Sequence, residues 1–410
     1  MSPLRRGLLI GGGIVLLLIL LAIATLGVML RPAALKGRVE KAVHEATGLA
    51  LRVDGEVHWH AWPEPKITIG AARLETAVAG TVPLAQWQLL AVEARWSPLL
   101  HGEATLESLR LDGLALTLVR GADGALHWPE LEPAAGAPAE AGAAATPRAL
   151  SIAQLSVRHG AVRVVGEGAA TALEGLELQA GVHYDPAAGT LRLTQPTAHA
   201  VARGGTLQSD GLRLALDAPA IAVRFSPLQL EAPRLHVQLG ELEAIARLDG
   251  PLDLETPAGS GELTLAMPSL RAFTASLGAE LPPTRDAEVF GALELHAAWR
   301  VEAAGARLDP LRLRLDGGEY RGSARVPAGG PAAGRPARFD LQGGKLDLRR
   351  YLRPKDQPGE PFTLPVEWLR AQHLEGVLEL EEAHAVVGVL QGVRITVLDQ
   401  APDSAPRASR

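Results

Sequence analysis

The chain has 410 residues, room for two or three ordinary domains or one long repetitive one, and 47% of them are hydrophobic while only 4% are aromatic. Few aromatics leave few of the large anchors that centre a compact core. A formal charge of −6 without a concentrated basic patch argues against nucleic acid as a partner, and the absence of cysteine excludes disulfides, thiolate metal sites and cysteine nucleophiles.

After residues 1–6, MSPLRR, the stretch GLLIGGGIVLLLILLAIATLGVML at 7–30 carries no charge. At ~1.5 Å per residue a helix of that length reaches about 36 Å, enough to cross a ~30 Å hydrocarbon core. A cleaved signal peptide would have an apolar region of only ~7–15 residues ending in small side chains. This one ends on Val28, Met29 and Leu30, so an uncleaved transmembrane anchor is expected. Arg5 and Arg6 precede it and Arg31, Lys36, Arg38 and Lys41 follow, so charge alone does not orient it.

Residues 32–47 predict a helix, with Pro32 in its first turn, Gly48 past its end, and Leu35, Val39, Ala42, Val43 and Ala46 on one face. From Leu49 the period becomes two. Leu49, Leu51 and Val53 alternate with Ala50 and Arg52, and Asp54-Gly55 predicts a hairpin turn. On the return strand Val57, Trp59 and Ala61 take one face, and His58, His60 and Trp62 the other. Two histidines at i and i+2 share a face, but a zinc site needs three or four ligands and no acidic-histidine cluster lies nearby. Ordinary strand positions are therefore expected for both.

The same alternation recurs downstream. Leu109 and Leu111 precede Asp112-Gly113, and Leu114, Leu116 and Leu118 follow it. Leu235, Val237 and Leu239 alternate with polar residues, as do Leu263, Leu265 and Met267, and Val393, Ile395 and Val397. Leu311, Leu313 and Leu315 stand opposite Arg312 and Arg314. Each strand thus has one oily and one charged face, and the irregular turn spacing gives no fixed repeat. Helices are few: one is predicted from Ser269 as N-cap, with Leu270, Phe273 and Leu277 on one face and Gly278 as its stop. Short turns fit 348–352 and 365–369. An Ala/Pro/Gly-rich linker at 132–148 separates a helix-plus-β region at 31–131 from a β region at 149–399, and 400–410 reads as a disordered tail.

In order along the chain, KAVHEATGLALRVDGEVHWHAWPEPKITIGAARL (41–74), WSPLLHGEATLESLRLDGLALTLVRGADGALHWPEL (96–131) and LSIAQLSVRHGAVRV (from 150) follow the hydrophobic anchor. LRAFTASLGAELPPTRDAEVFGALELHAAW, LRLRLDGGEYRGSARV and FDLQGGKLDLRRYLRP come next. Together these blocks resemble the AsmA family of inner-membrane-anchored periplasmic proteins of Gram-negative bacteria, whose longer members continue past the point matching VRITVLD. The resemblance implies no catalytic residue and no cofactor. It implies a mainly β fold with one N-terminal transmembrane helix, few short helices, and an elongated, curled antiparallel β-sheet forming a hydrophobic groove. It also implies Arg5 and Arg6 on the cytoplasmic side of the inner membrane and the bulk of the chain in the periplasm. Phospholipid and other envelope or outer-membrane assembly proteins are the partners it points to.

Physical chemistry supports the same reading. Exposing an acyl chain to water costs ~0.8 kcal/mol per CH₂, about 13 kcal/mol for a ~16-carbon tail, and a sheet with one continuous apolar face lowers that cost without chemistry. The groove-lining candidates are Leu109, Leu111, Leu114, Leu116, Leu118, Leu235, Val237, Leu239, Leu263, Leu265, Leu311, Leu313, Leu315, Val393, Ile395 and Val397. A closed β-sandwich would use the same residues as core, and periodicity does not separate the two. A non-enzymatic scaffold for outer-membrane protein assembly is the second functional reading, since exposed sheet edges pair with other chains. An enzyme is not expected: GxSxG, HExxH and Walker A patterns are absent, GEGAA at 166–170 lacks its third glycine, and GGK at 343–345 is followed by Leu.

Overall fold

The computed structural model describes residues 36–37, 40–41, 43–44, 49–75, 83–101, 103–120, 126–127, 149–166, 171–208, 210–330, 334–354 and 372–398. The expectations for 7–30, 132–148, 365–369 and 400–410 lie outside the described residues. Among the described residues no helix is long and apolar enough to cross a membrane. The chain is mainly β and divides by contact into two units, Met1–Leu239 and Gly240–Arg410.

The first unit opens with β1 (Ala50–Val53), β2 (Val57–His60), β3 (Lys66–Ile69), β4 (Ala72–Glu75), β5 (Ala85–Trp87) and β6 (Leu89–Ala94). A short helix α1 (Trp96–Leu100) leads into β7 (Ala104–Asp112), β8 (Ala115–Arg120), β9 (Leu126–His127) and the long β10 (Leu150–Gly166). One ladder runs β1-β4-β5-β8-β10 and another β2-β3-β6-β7-β10. These are two halves of one sheet whose strands all bend at the same level. Only β10 runs through, pairing in parallel with β7 by its first half and with β8 by its second. Strands on both sides of the 132–148 segment therefore share a sheet.

This corrects the hairpin expected at Asp54-Gly55. The pairs are β1 with β4 and β2 with β3, so Asp-Gly carries one strand round a corner instead of reversing it. The reason is local. The N–H groups of Asp54 and Gly55 both donate to the Ala71 carbonyl, at 2.9 and 2.8 Å, and a Cβ on Gly55 would lie 2.5 Å from the Ala71 nitrogen. Arg73 Nε donates to Asp54 Oδ2 at 3.0 Å across the bend. Asp112-Gly113 makes a similar corner, with Gly113 at φ +65°. There the apolar set changes parity, from Leu109 and Leu111 to Leu114, Leu116 and Leu118, as a one-residue bulge requires if all are to stay on one face.

Both halves feed a single core. Ile67, Leu90, Leu106, Leu109 and Leu150 are 0% exposed, and Val43 of the helical segment joins them. Beyond it come β11 (Thr171–Asp185), β12 (Thr190–Gly204), β13 (Leu212–Asp217), β14 (Ala220–Phe225), β15 (Leu228–Glu231) and β16 (Leu235–Leu239). Ala180 and Val182 of β11 and Leu191 of β12 still belong to that core, and further across the strands the apolar face is half-buried, as in the cross-strand row Leu178–Ala198–Leu216–Val237.

The second unit contains β17 (Leu242–Leu248), β18 (Leu252–Asp253), β19 (Gly259–Met267), α2 (Leu270–Ser276), β20 (Leu293–Glu302), β21 (Gly305–Leu315) and β22 (Gly318–Pro327). It ends with β23 (Ala337–Asp347), a 3-10 turn at Leu348–Tyr351, β24 (Leu374–Ala385) and β25 (Gly388–Val397). The ladder runs β17-β19-β20-β21-β22-β23-β24-β25. Pairing is antiparallel except for β23 with β24; with the two pairings of β10, that departs from the all-antiparallel sheet expected. In each case a long connection returns the chain to the end it left, which a parallel pair requires.

Helix α2 starts as its sequence predicts: Ser269 Oγ accepts from the Ala272 N–H at 3.1 Å, and Gly278 follows at φ +76°. A polar knot packs beside it at the strand ends. Asp316 accepts from the N–H groups of Phe290 and Gly291, both at 2.8 Å, and from the Tyr351 hydroxyl at 2.6 Å. Burial and this bond push the Tyr351 phenol far above its ordinary range. Phe290 meets Tyr351 edge-on at 5.5 Å and carries the Arg271 guanidinium over its ring at 5.5 Å.

Candidate functional site

Strand registers in the second unit place apolar residues in three rows that run across the strands. The first is Ala244–Leu265–Leu295–Leu313–Tyr320–Gly343–Leu380–Val393, and the second Ala246–Leu263–Ala297–Leu311–Gly322–Leu341–Leu378–Ile395. The third is Leu248–Gly261–Trp299–Leu308–Ala324–Phe339–Gly376–Val397. A parity change between Leu308 and Leu311, where β21 bulges, keeps the rows on one face. Seven inter-strand steps of ~4.8 Å make each row about 34 Å long.

The rows are mostly half-buried. Few of their side chains are buried: Tyr320 and Leu380 form a small cluster with Ala383, against which Leu313, Val393 and Ile395 pack, and Ala297 and Leu311 are buried in the second row. Glycine keeps the face low. The Tyr320 ring lies across Gly343, where a Cβ would come within 2.6 Å of its Cδ1, and the Phe339 ring lies against Gly376. The two rings therefore lie along the surface instead of standing up from it.

The opposite face is ionic. Arg314 bonds Glu319 at 2.6 Å and Glu294 at 3.4 Å, and Arg394 pairs with Glu379 at 3.1 Å. The hydrogen bond from Arg314 holds the Glu319 carboxyl below the usual carboxylate range. Such exposed pairs contribute little stability each, but they make this the solvated side.

The candidate groove residues separate into distinct environments. Leu109, Leu111, Leu114, Leu116 and Leu118, at 0–2% exposure, belong to the closed core of the first unit. Leu235, Val237 and Leu239 lie on its half-buried β16. Leu263, Leu265, Leu311, Leu313, Leu315, Val393, Ile395 and Val397 lie together on the apolar face of the second unit; Leu311 is buried and the others half-buried. The structure adds Leu295, Leu341, Leu378 and Leu380 to that face. Their signal is period two in ALELHAAW, FDLQGG and GVLELEE.

His58 and His60 are exposed on β2 while Val57 and Trp59 turn towards the core, and His58 Nε2 is 3.0 Å from Glu56 Oε2. Among the described residues no group of three or more His, Cys, Asp or Glu is arranged to hold a metal.

A mainly β chain whose first unit closes on an apolar core and whose second unit has a long apolar face opposite an ionic one is thus the class defined. Residues 3–205 match the profile of the AsmA family, and the chain belongs to that family. It is 28% identical over 105 residues to Protein AsmA of Escherichia coli (strain K12), an alignment covering 25% of this chain and 17% of that protein. The chain thus spans well under two thirds of that relative's length. No solved structure matches the chain. The apolar rows of the second unit lie beyond the family match, so their reading rests on the structure alone.

Proposed function

We propose that this is a non-enzymatic envelope protein, anchored in the inner membrane with its bulk in the periplasm. In this reading it holds or conducts phospholipid along its apolar face in support of outer-membrane biogenesis. The supporting observation is the set of three apolar rows, in register across eight strands and left largely half-buried. Their length of about 34 Å exceeds the roughly 15 Å of one membrane leaflet, so an acyl chain lying along them has apolar surface on one side over its whole length. At ~0.8 kcal/mol per CH₂, even half-coverage of a ~16-carbon tail recovers about 6 kcal/mol. Family membership supports the envelope setting.

The test is Leu313→Asp, with Leu265→Asp beside it, in the full chain. Phospholipid recovered with the purified protein and measured by mass spectrometry should fall several-fold at normal protein levels. Undiminished lipid would sink the reading, and so would collapse of both variants' levels, which marks a closed core.

One observation favours a second reading, a scaffold for outer-membrane protein assembly. Among the described residues β25 pairs only with β24, and it exposes Val389 at 57% and Leu390 at 44%. Such an edge can accept a strand from another chain.

A further inference from the structure

The ionic face of the second unit contains a feature that the lipid reading does not use. Arg300, Arg307, Arg325 and Arg338 stand directly opposite one another on β20, β21, β22 and β23. By strand alternation they share the face opposite Trp299, Leu308, Ala324 and Phe339. Like charges directly opposite across strands repel, and three steps of ~4.8 Å confine all four within about 14 Å.

Internal carboxylates compensate only two of them. Arg307 pairs with Asp309, and Arg338 with Glu375 at 3.1 Å. Among the described residues no carboxylate forms an ion pair with Arg300 or Arg325, the first and third members of the row. The four line one open cavity of about 930 Å³, to which the loop residue Arg335 adds a fifth guanidinium. Asp249, Glu302 and Asp309 are its acidic residues, so five cations face three anions in a chain whose net charge is −6. Guanidinium is the side chain whose paired N–H donors fit a tetrahedral oxyanion two at a time. A single anionic oxygen would leave part of the row uncompensated, whereas a group with two or more negative charges bridges adjacent members.

We propose that this cavity binds a multivalent phosphate-type oxyanion, a phosphomonoester or pyrophosphate group, held chiefly by Arg300 and Arg325 with Arg307 and Arg338 beside them. The four arginines stand on the face opposite the apolar rows, and of those rows only Gly261 and Trp299 of the third also border the cavity, far along the strands from Leu313.

The test is calorimetric titration of the full chain in nonionic detergent with inorganic pyrophosphate. Saturable binding is expected, weakened about tenfold or more in the Arg300→Gln, Arg325→Gln double variant at an unchanged unfolding temperature. Arg110→Gln, an exposed arginine of the first unit, should bind as the unaltered chain does. No pyrophosphate binding by the unaltered chain, or equal binding by the double variant, overturns the proposal. Mixed micelles distinguish the source of the anion. Displacement of pyrophosphate by phosphatidic acid but not by phosphatidylcholine assigns a lipid headgroup, and displacement by neither assigns a free anion. Leu313→Asp should leave the titration unchanged, so failure of the lipid reading and failure of this one are read separately.

Discussion

The strands around Leu109 and those around Leu313 are written in the same alternating pattern, yet one set is sealed and the other left half open. Leu109 has 0% exposure inside a core fed from both halves of a bent sheet, whereas Leu313 lies half-buried in a row that crosses eight strands. The difference lies in the corners. In β1–β8 every strand bends at one level, through Asp54-Gly55 and Asp112-Gly113 among others, so two apolar surfaces meet. In β19–β25 the strands run through and bulge only locally. Alternation decides which face is apolar; the bends decide whether that face finds a partner within its own unit.

The sharpest way to break the comparison is to truncate both leucines. Leu109→Ala should cost about 2–5 kcal/mol, as truncation in a packed core does, while Leu313→Ala should cost no more than about 1.5 kcal/mol. Thermal or denaturant unfolding of the full chain checks this; equal losses would mean that the second face is as closed as the first.

A smaller effect is expected at the knot beside α2. Asp316→Asn converts a carboxylate accepting three hydrogen bonds into an amide with a single acceptor oxygen, and should cost about 1–3 kcal/mol. Faster hydrogen exchange at the Phe290 and Gly291 amides would show the loss to be local.

The smallest effect concerns pH at the bend of β10. His159, at φ 50°, places Nδ1 2.9 Å from Asp112 Oδ1, and that bond followed by the Asp112 charge raises its pKa above the ordinary histidine range. Because the raised value belongs to the folded state, the stabilisation is complete below the ordinary histidine pKa. It is lost as pH rises through the raised one. Hydrogen exchange around 158–161 should quicken slightly across that window, and His159→Gln should abolish the dependence.

Much of this was legible in the residues. Period two identified the apolar faces, and Ser269 with Gly278 bounded α2. The corner at Asp54-Gly55 was not legible from the dipeptide, because Asp-Gly turns a hairpin or bends a strand according to what packs against its glycine, here Gly70-Ala71. Asp112-Gly113 did carry a clue in the odd-to-even shift of its leucines. The arginine row is not legible because its members are 7, 18 and 13 positions apart, in segments of mixed charge, and only strand register brings them side by side.

Since the apolar rows cross the strands instead of following them, their length is counted in strands. Each further hairpin would extend the trough by about 10 Å without altering its chemistry, and each one removed would shorten it equally. Such a surface works like a ruler with interchangeable segments, whose reach can change while its cross-section stays constant.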